Sequence, residues 1–284
     1  MIRTYKFLDE IKNPLEVTSL NLSGQNLRSI PEKVFQMVNM VRLTIARNSI
    51  TTIPAEIGQL EHLIHLDASY NQIDKLPFTL KFLQRLNVLS LENNAIEYLS
   101  NEVILPSLEV LNLAQNPLYE YTEEIKNLKV HTLLDLSGVH SKTIPAFSGC
   151  FKRLKRLVFK FAKQVPPSWI YDCQALEELN FDHSNLHSLS PEIGKHKNLK
   201  TLSLTDNNLT QLPKEIGDCT SLETLLLSHN MLNYLPKSLI NLKNLKQLCI
   251  KDNFFERFPS LLIQRPDLHW NLKDNPLLQE LGIN

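Results

Sequence analysis

The sequence predicts an α/β solenoid, a right-handed superhelix of about twelve repeats with a parallel β-sheet on its concave face. Three observations predict it. The phrase LKTLSLTDNNLTQLPKEIGDCTSL, residues 199–222, recurs along the chain at steps of 22 or 23 residues. A fixed period of roughly 20 to 29 residues is the mark of stacked coils. Inside the phrase, Leu202-x-Leu204 alternates as a strand does, and Leu212-Pro213 marks a separate return segment.

The strand sets the rest of the phrase. Leu202 and Leu204 point to one side and Ser203 to the other. One short strand cannot bury that apolar side alone, so each copy needs the next beside it, which also pairs its backbone groups. Asn207 comes where the chain leaves the strand. Its amide offers two donors and an acceptor to turn backbone in its own and neighbouring coils. Leu212 and Ile216 fill the remaining core, Pro213 stiffens the return, and Lys214 and Glu215 face water.

The remaining elements follow in chain order. Ile2, Tyr5, Leu8 and Ile11 recur every third residue and Pro14 ends the run. A capping helix is therefore expected over residues 1–16. The repeat domain occupies 17–284. Its coils open at Val17, Met40, Leu63, Leu86, Leu108, His131, Leu154, Leu176, Leu199, Leu222, Leu245 and Asp267, numbered 1 to 12 below. The Asn position holds Asn48, Asn71, Asn94, Asn116, Asn207, Asn230, Asn253 and Asn275, but Gln25, Val139, Ala162 and Ser184 in four coils. Val139, Ala162 and Ser184 are consecutive, so the polar ladder is expected to break there. Coils over 131–198 depart elsewhere too: His131 replaces a leucine, and Pro166-Pro167 is expected to disturb a return. A bend or widened strand spacing is expected near 131–176. Residues 267–284, a worn last repeat and a tail, are expected to close the far end.

These residues match the pattern LxxLxLxxNxL and resemble the leucine-rich repeat family. The Leu-Pro-x-x-Ile return looks like the 23-residue subclass of Ras-suppressor-like and bacterial repeat proteins. The opening LDEIKNPLEVTSLNLSGQNL is similar to the start of many bacterial members, which implies a bacterial source. The resemblance implies a protein-binding scaffold.

Thirty basic and thirty acidic residues cancel, so no global field draws the chain to nucleic acid or membrane. No apolar run reaches membrane-spanning length, and MIRTYKFLDEIKNP lacks the apolar core of a signal peptide. A cytoplasmic location is expected, or export without a classical signal peptide. Cys173 and Cys219 fall where core leucines are expected and read as buried thiols two coils apart, too far for a disulfide. Cys150 and Cys173 fall in adjacent coils, within reach in principle. Cys249 falls on an outward strand position.

The strand residues between core leucines line the expected ligand side. Most are small and polar. A central cluster of Leu133, Arg156, Val158, Lys160, Phe161 and Lys163 mixes apolar, aromatic and cationic groups, as interface centres do. It lies beside Glu178, Asp182 and His183. The structural alternative is a repacked coil whose Lys and Arg only keep it soluble. Arg42, His65 and Tyr70 form a weaker flank, and Leu226, Met231, Cys249 and Phe254 a second apolar cluster.

No phosphate-cradling, dinucleotide, HExxH or GxSxG motif is present. His62, His65 and Asp67 suggest a metal, but His62 precedes the strand. His183, Asp206, His229, Asp252 and Asp274 fall in one column of turn positions, where a cation is the functional reading and solvated turns the plain one. No catalytic residue, cofactor or metal is assigned. The expected function is non-enzymatic binding of a protein partner with an acidic patch on the concave face, without nucleic acid or membrane insertion. The alternatives are a bacterial effector or signalling regulator using the same face, and an enzyme at the irregular coils dependent on His183.

Overall fold

The computed structural model describes residues 4–100, 103–118, 130–139, 151–162 and 166–280. The chain divides into two compact units, Met1–Phe151 and Lys152–Asn284. In the first unit the strands are Thr4–Tyr5 (β1), Ser19–Asn21 (β2), Arg42–Thr44 (β3), His65–Asp67 (β4), Val88–Ser90 (β5), Val110–Asn112 (β6) and Leu133–Asp135 (β7). Each pairs in parallel with the next. The second unit holds Arg156–Val158 (β8), Glu178–Asn180 (β9), Thr201–Ser203 (β10), Thr224–Leu226 (β11), Gln247–Cys249 (β12) and His269–Asn271 (β13), again paired in parallel in sequence order. Register advances by one repeat, so Leu43 stands opposite Leu66 and Leu202 opposite Leu225. Equivalent leucines therefore stack into columns, and those of β2 to β12 are buried.

The asparagines do what their position requires. Asn71 Nδ2 donates to the carbonyls of Ile45 at 3.0 Å, one coil back, and of Ala68 at 3.0 Å in its own coil. Its Oδ1 accepts from the Ile50 N–H at 3.0 Å. Asn207 repeats this on Phe181, Leu204, Ser184 and Leu186. Each amide thus satisfies buried turn backbone that strand pairing leaves over. At the departures the ladder thins. Ser184 donates its one hydroxyl to Phe159 or Asp182 and accepts from Ala162 N–H at 3.2 Å. Val139 and Ala162 are buried, and their side chains have nothing to donate.

The returns are 3-10 turns, at Glu32–Gln36, Ala55–Gln59 and Phe78–Phe82 in the first unit. In the second they are Ser168–Asp172, Pro191–Lys195, Lys214–Asp218 and Lys237–Asn241. A 3-10 turn rises about 2.0 Å per residue against about 1.5 Å in an α-helix, so five residues span more of the coil. α-Helix among the described residues is confined to Ser260–Gln264 (α1) and Pro276–Glu280 (α2). Pro167 does not disturb its return. It holds φ −65° and ψ 144° before Ser168, nearly the values of Pro213 and Pro236 in regular coils. Here the irregularity lies in the core, where Phe159, Trp169 and Phe181 replace aliphatic residues and Phe159 meets Phe181 edge-on at 6.2 Å.

The first sixteen residues correct one expectation. In place of a helix, the described part forms β1 and 3-10 turns at Leu8–Glu10 and Pro14–Glu16. β1 pairs with β2 and covers its open edge directly, Thr4 opposite Ser19. Tyr5 and Leu8 are half-buried and Ile11 is buried, so the three-residue spacing marks the inward side of this segment without making it an α-helix. At the other end β13 pairs with β12, and Trp270 takes the column of Leu248 yet stays 44% exposed. Residues 281–284, 140–150 and 163–165 lie outside the described residues, and with them Cys150, Lys163 and part of the irregular stretch.

Candidate partner-binding surface

In a parallel strand of three residues the first and third side chains leave the core together. β3 to β7 therefore present Arg42, His65, Val88, Val110 and Leu133 in one row and Thr44, Asp67, Ser90, Asn112 and Asp135 in a second. A third row follows from the turn after the strand. Arg47, Tyr70 and Gln115 in the first unit have φ of 55° to 56°, and Phe161, His183, Asp206 and His229 in the second 56° to 59°. This left-handed region is uncommon for such residues. It is held by backbone bonds to the next coil, as from Arg47 N–H to Ser69 O at 2.9 Å and His183 N–H to Thr205 O at 2.9 Å. Repetition of the turn sets these side chains on neighbouring coils side by side.

The first unit brings the weaker flank together. The Arg47 guanidinium lies over the Tyr70 ring, 4.7 Å from its centroid. Tyr70 donates its hydroxyl to Glu92 at 2.8 Å, which raises the Tyr70 pKa, and Asn112 donates to the other Glu92 oxygen at 3.2 Å. His65 is half-buried on β4. Burial and then the Arg42 charge hold its pKa below the ordinary value, against the opposing pull of Asp67. Asp67 is engaged by the Ser69 N–H and hydroxyl. Arg42 is exposed, and among the described residues it forms no ion pair.

The second unit arranges the central cluster differently. Arg156 on β8 pairs with Glu178 on β9 at 2.6 Å, and Lys160 lies 4.0 Å from Asp182. Lys155 and Lys200 both reach Glu177, at 3.2 and 2.7 Å, which holds that carboxyl below its usual range, Lys200 contributing most. Lys155, Arg156 and Lys160 thus meet the acids of the following coil. Phe161, 45% exposed, stacks on His183 with centroids 5.1 Å apart, and His183 faces Asp206 at 2.7 Å. Val158, the last residue of β8, is half-buried. Leu133 belongs to the first unit, half-buried on β7.

Leu226 on β11 lies opposite Cys249 on β12, both half-buried. Met231 and Phe254 follow Asn230 and Asn253 in adjacent coils and are exposed, Phe254 to 56%. Among the described residues no group of three His, Cys, Asp or Glu side chains is placed to hold a metal ion. His62 instead meets Arg85 at 3.1 Å, and His229 pairs with Asp252 at 2.7 Å.

Two residues were not singled out from the sequence. Arg47 precedes the Asn position as Tyr70 does, and reading down that column finds it. His196 lies in the column of Cys173 and Cys219, at the end of the returns, and is fully buried.

The family model described as Leucine rich repeat matches residues 16–73 and 197–255. The coils in those two stretches resemble leucine-rich repeats. Solved structures agree in fold. A TDR receptor aligns at TM-score 0.73 and 26% identity, over 92% of this chain and 48% of that one. InlJ from Listeria monocytogenes aligns at 0.70 and 20%, over 92% and 54%. The plant peptide hormone receptor RGFR1, solved in complex with RGF2, aligns at 0.59 and 22%, over 96% and 53%. The chain spans about half the length of each. No curated protein matches it by sequence. Leucine-rich repeat proteins are in general protein-interaction modules. Among the described residues no helix is long and apolar enough to cross a membrane.

Proposed function

We propose that this chain is a non-enzymatic binding module whose strand face grips an acidic segment of a protein partner. The observation that carries the reading is Arg42: an exposed guanidinium on β3 with no carboxylate partner among the described residues, beside His65, on a unit whose next row carries Arg47 against Tyr70. A free guanidinium offers a carboxylate two parallel hydrogen bonds, and the aromatic ring under Arg47 limits its freedom without neutralising it. Val88 and Val110 continue the Arg42 row as a shallow apolar strip. In the second unit Arg156, Lys160 and Phe161 form a separate contact area. The Arg156–Glu178 pair is exposed, so a partner carboxylate exchanges with Glu178 at small cost. Binding is then the whole activity, as in a regulator acting on a signalling or host protein.

A displayed library of randomised peptides selected on the intact chain tests this. Acid-rich peptides that lose tenfold or more of their affinity on Arg42→Glu, with an unchanged melt, support it. Enrichment of neutral or basic peptides indifferent to Arg42→Glu and to Lys160→Glu would sink it.

A further inference from the structure

In the second unit glycines decide how closely consecutive returns approach. Gly194 and Gly217 hold the fourth position of the returns in coils 8 and 9. A Cβ on Gly194 would lie 2.8 Å from the Glu215 carbonyl oxygen of the next return, and one on Gly217 would collide with the Ser238 carbonyl. Backbone packs directly on backbone there. In coil 10 the fourth position is Ile240, whose branched side chain cannot lie in that space. The next return is α1, a wider turn than 3-10. Both changes hold the two returns apart. A groove of about 600 Å³ lies between them, within the range of roughly 300 to 1,000 Å³ found for ligand sites.

Its lining has a definite chemistry. Tyr234 and Phe258 are exposed aromatic walls, and Pro236 and Pro259 begin the two returns. The Tyr234 hydroxyl donates to Gln211 at 2.8 Å and Phe258 meets Trp270 edge-on at 5.6 Å, so both rings are braced. Lys237 and Arg257 line the groove, and no carboxylate does. Among the described residues neither cation forms an ion pair, unlike Lys200 and Lys246, which directly precede two strands of the same unit.

We infer that this groove is a second docking site, for a short acidic peptide segment of a protein partner with apolar or proline residues between its carboxylates. Charge complementarity selects the occupant: two unpaired cations stand at a cleft without acids, over apolar walls that a purely ionic ligand would leave unused. A nucleic acid strand would need a longer cationic track. The groove shares no residue with the strands and does not depend on the strand-face reading.

The test uses the full chain carrying Arg42→Glu, Arg47→Glu, Arg156→Glu and Lys160→Glu, so that peptides held by the strand face of either unit are not selected. A displayed random heptapeptide library is panned on it, and enriched peptides are titrated by fluorescence anisotropy. The expected result is acidic peptides with apolar or proline residues, whose affinity falls tenfold or more on Lys237→Glu with Arg257→Glu. Ile240→Gly, which lets the returns close, lowers it as well. The melt of the charge-reversed chain should stay within about 2 °C, because both side chains are exposed. Three results overturn the proposal: no enrichment of acidic peptides, enriched peptides indifferent to Lys237→Glu with Arg257→Glu, or a dT10 oligonucleotide bound at these residues in preference to the peptides.

Discussion

Acid should loosen the second unit through one histidine. His196 ends the return of coil 8 in a column whose other members are Cys173, Cys219 and Leu242. The ring is fully buried, tilted against Tyr171 at 6.0 Å, and neither ring nitrogen has a hydrogen-bond partner of good geometry. Burial is the main cause that drives its pKa from 6.5 down to about 4; the Cys173 backbone offsets a little of this and the Lys195 charge adds to it. The groups facing it offer no compensating charge, since burial pushes Tyr171 and the Cys219 thiol each up to about 12 and leaves both neutral. Between pH 6.5 and 4 the unfolded chain therefore binds a proton that the folded chain refuses. Stability from this site is complete above pH 6.5 and declines as pH falls toward 4. At about 1.4 kcal/mol per pKa unit the loss amounts to about 3 kcal/mol. The control is His196→Leu, which places in the column the residue coil 10 already uses. Carboxylates titrate alike in both proteins and cancel in the difference. Urea unfolding followed by circular dichroism, at half-unit steps from pH 7.5 to 4, should show the variant gaining on the wild type by about 3 kcal/mol as pH falls. A difference that stays flat with pH would refute the reasoning.

Other outcomes follow from the same contacts. Asn71→Ala removes an amide that serves carbonyls of two coils and one N–H, and should cost about 3 kcal/mol in urea unfolding, with Asn207→Ala similar. Gly217→Ala puts a methyl group against the Ser238 carbonyl and should destabilise by about 1–3 kcal/mol, whereas Ile240→Ala, beside the groove, should cost less than a typical core truncation. Iodoacetamide on the native protein, mapped by mass spectrometry, should modify the half-exposed Cys249 and spare Cys219, whose buried thiol reacts only after unfolding.

The coils were legible in the sequence because each of their columns depends on one interaction repeated many times. Leu202 and Leu204 alternate because a three-residue strand has two sides, and Asn207 recurs because every turn leaves the same backbone groups over. The N-terminal segment was not legible. The spacing of Tyr5, Leu8 and Ile11 suits a helix, but β2 offered an unpaired edge, and β1 satisfies it with backbone bonds that side-chain spacing does not report. The makeup of the strand face was legible in part. The strand rows could be named residue by residue, including Arg42, His65 and Arg156. Which cations are free could not be, because that depends on register: Arg156 lies opposite Glu178, while Arg42 lies between Ser19 and His65. The groove beside Ile240 was hidden for a similar reason, since its cause is a missing glycine in a column otherwise tolerant of large residues.

The strand-face reading is tested most directly by locating a bound ligand. An acid-rich peptide selected on the wild-type chain, carrying a benzoylphenylalanine, is photo-cross-linked and the attachment sites are mapped by mass spectrometry. The account predicts cross-links on β3 and β4 and the turns after them, around Arg42, Arg47, His65 and Tyr70, abolished by Arg42→Glu. Cross-links confined to the return segments, or unchanged by Arg42→Glu, would contradict it.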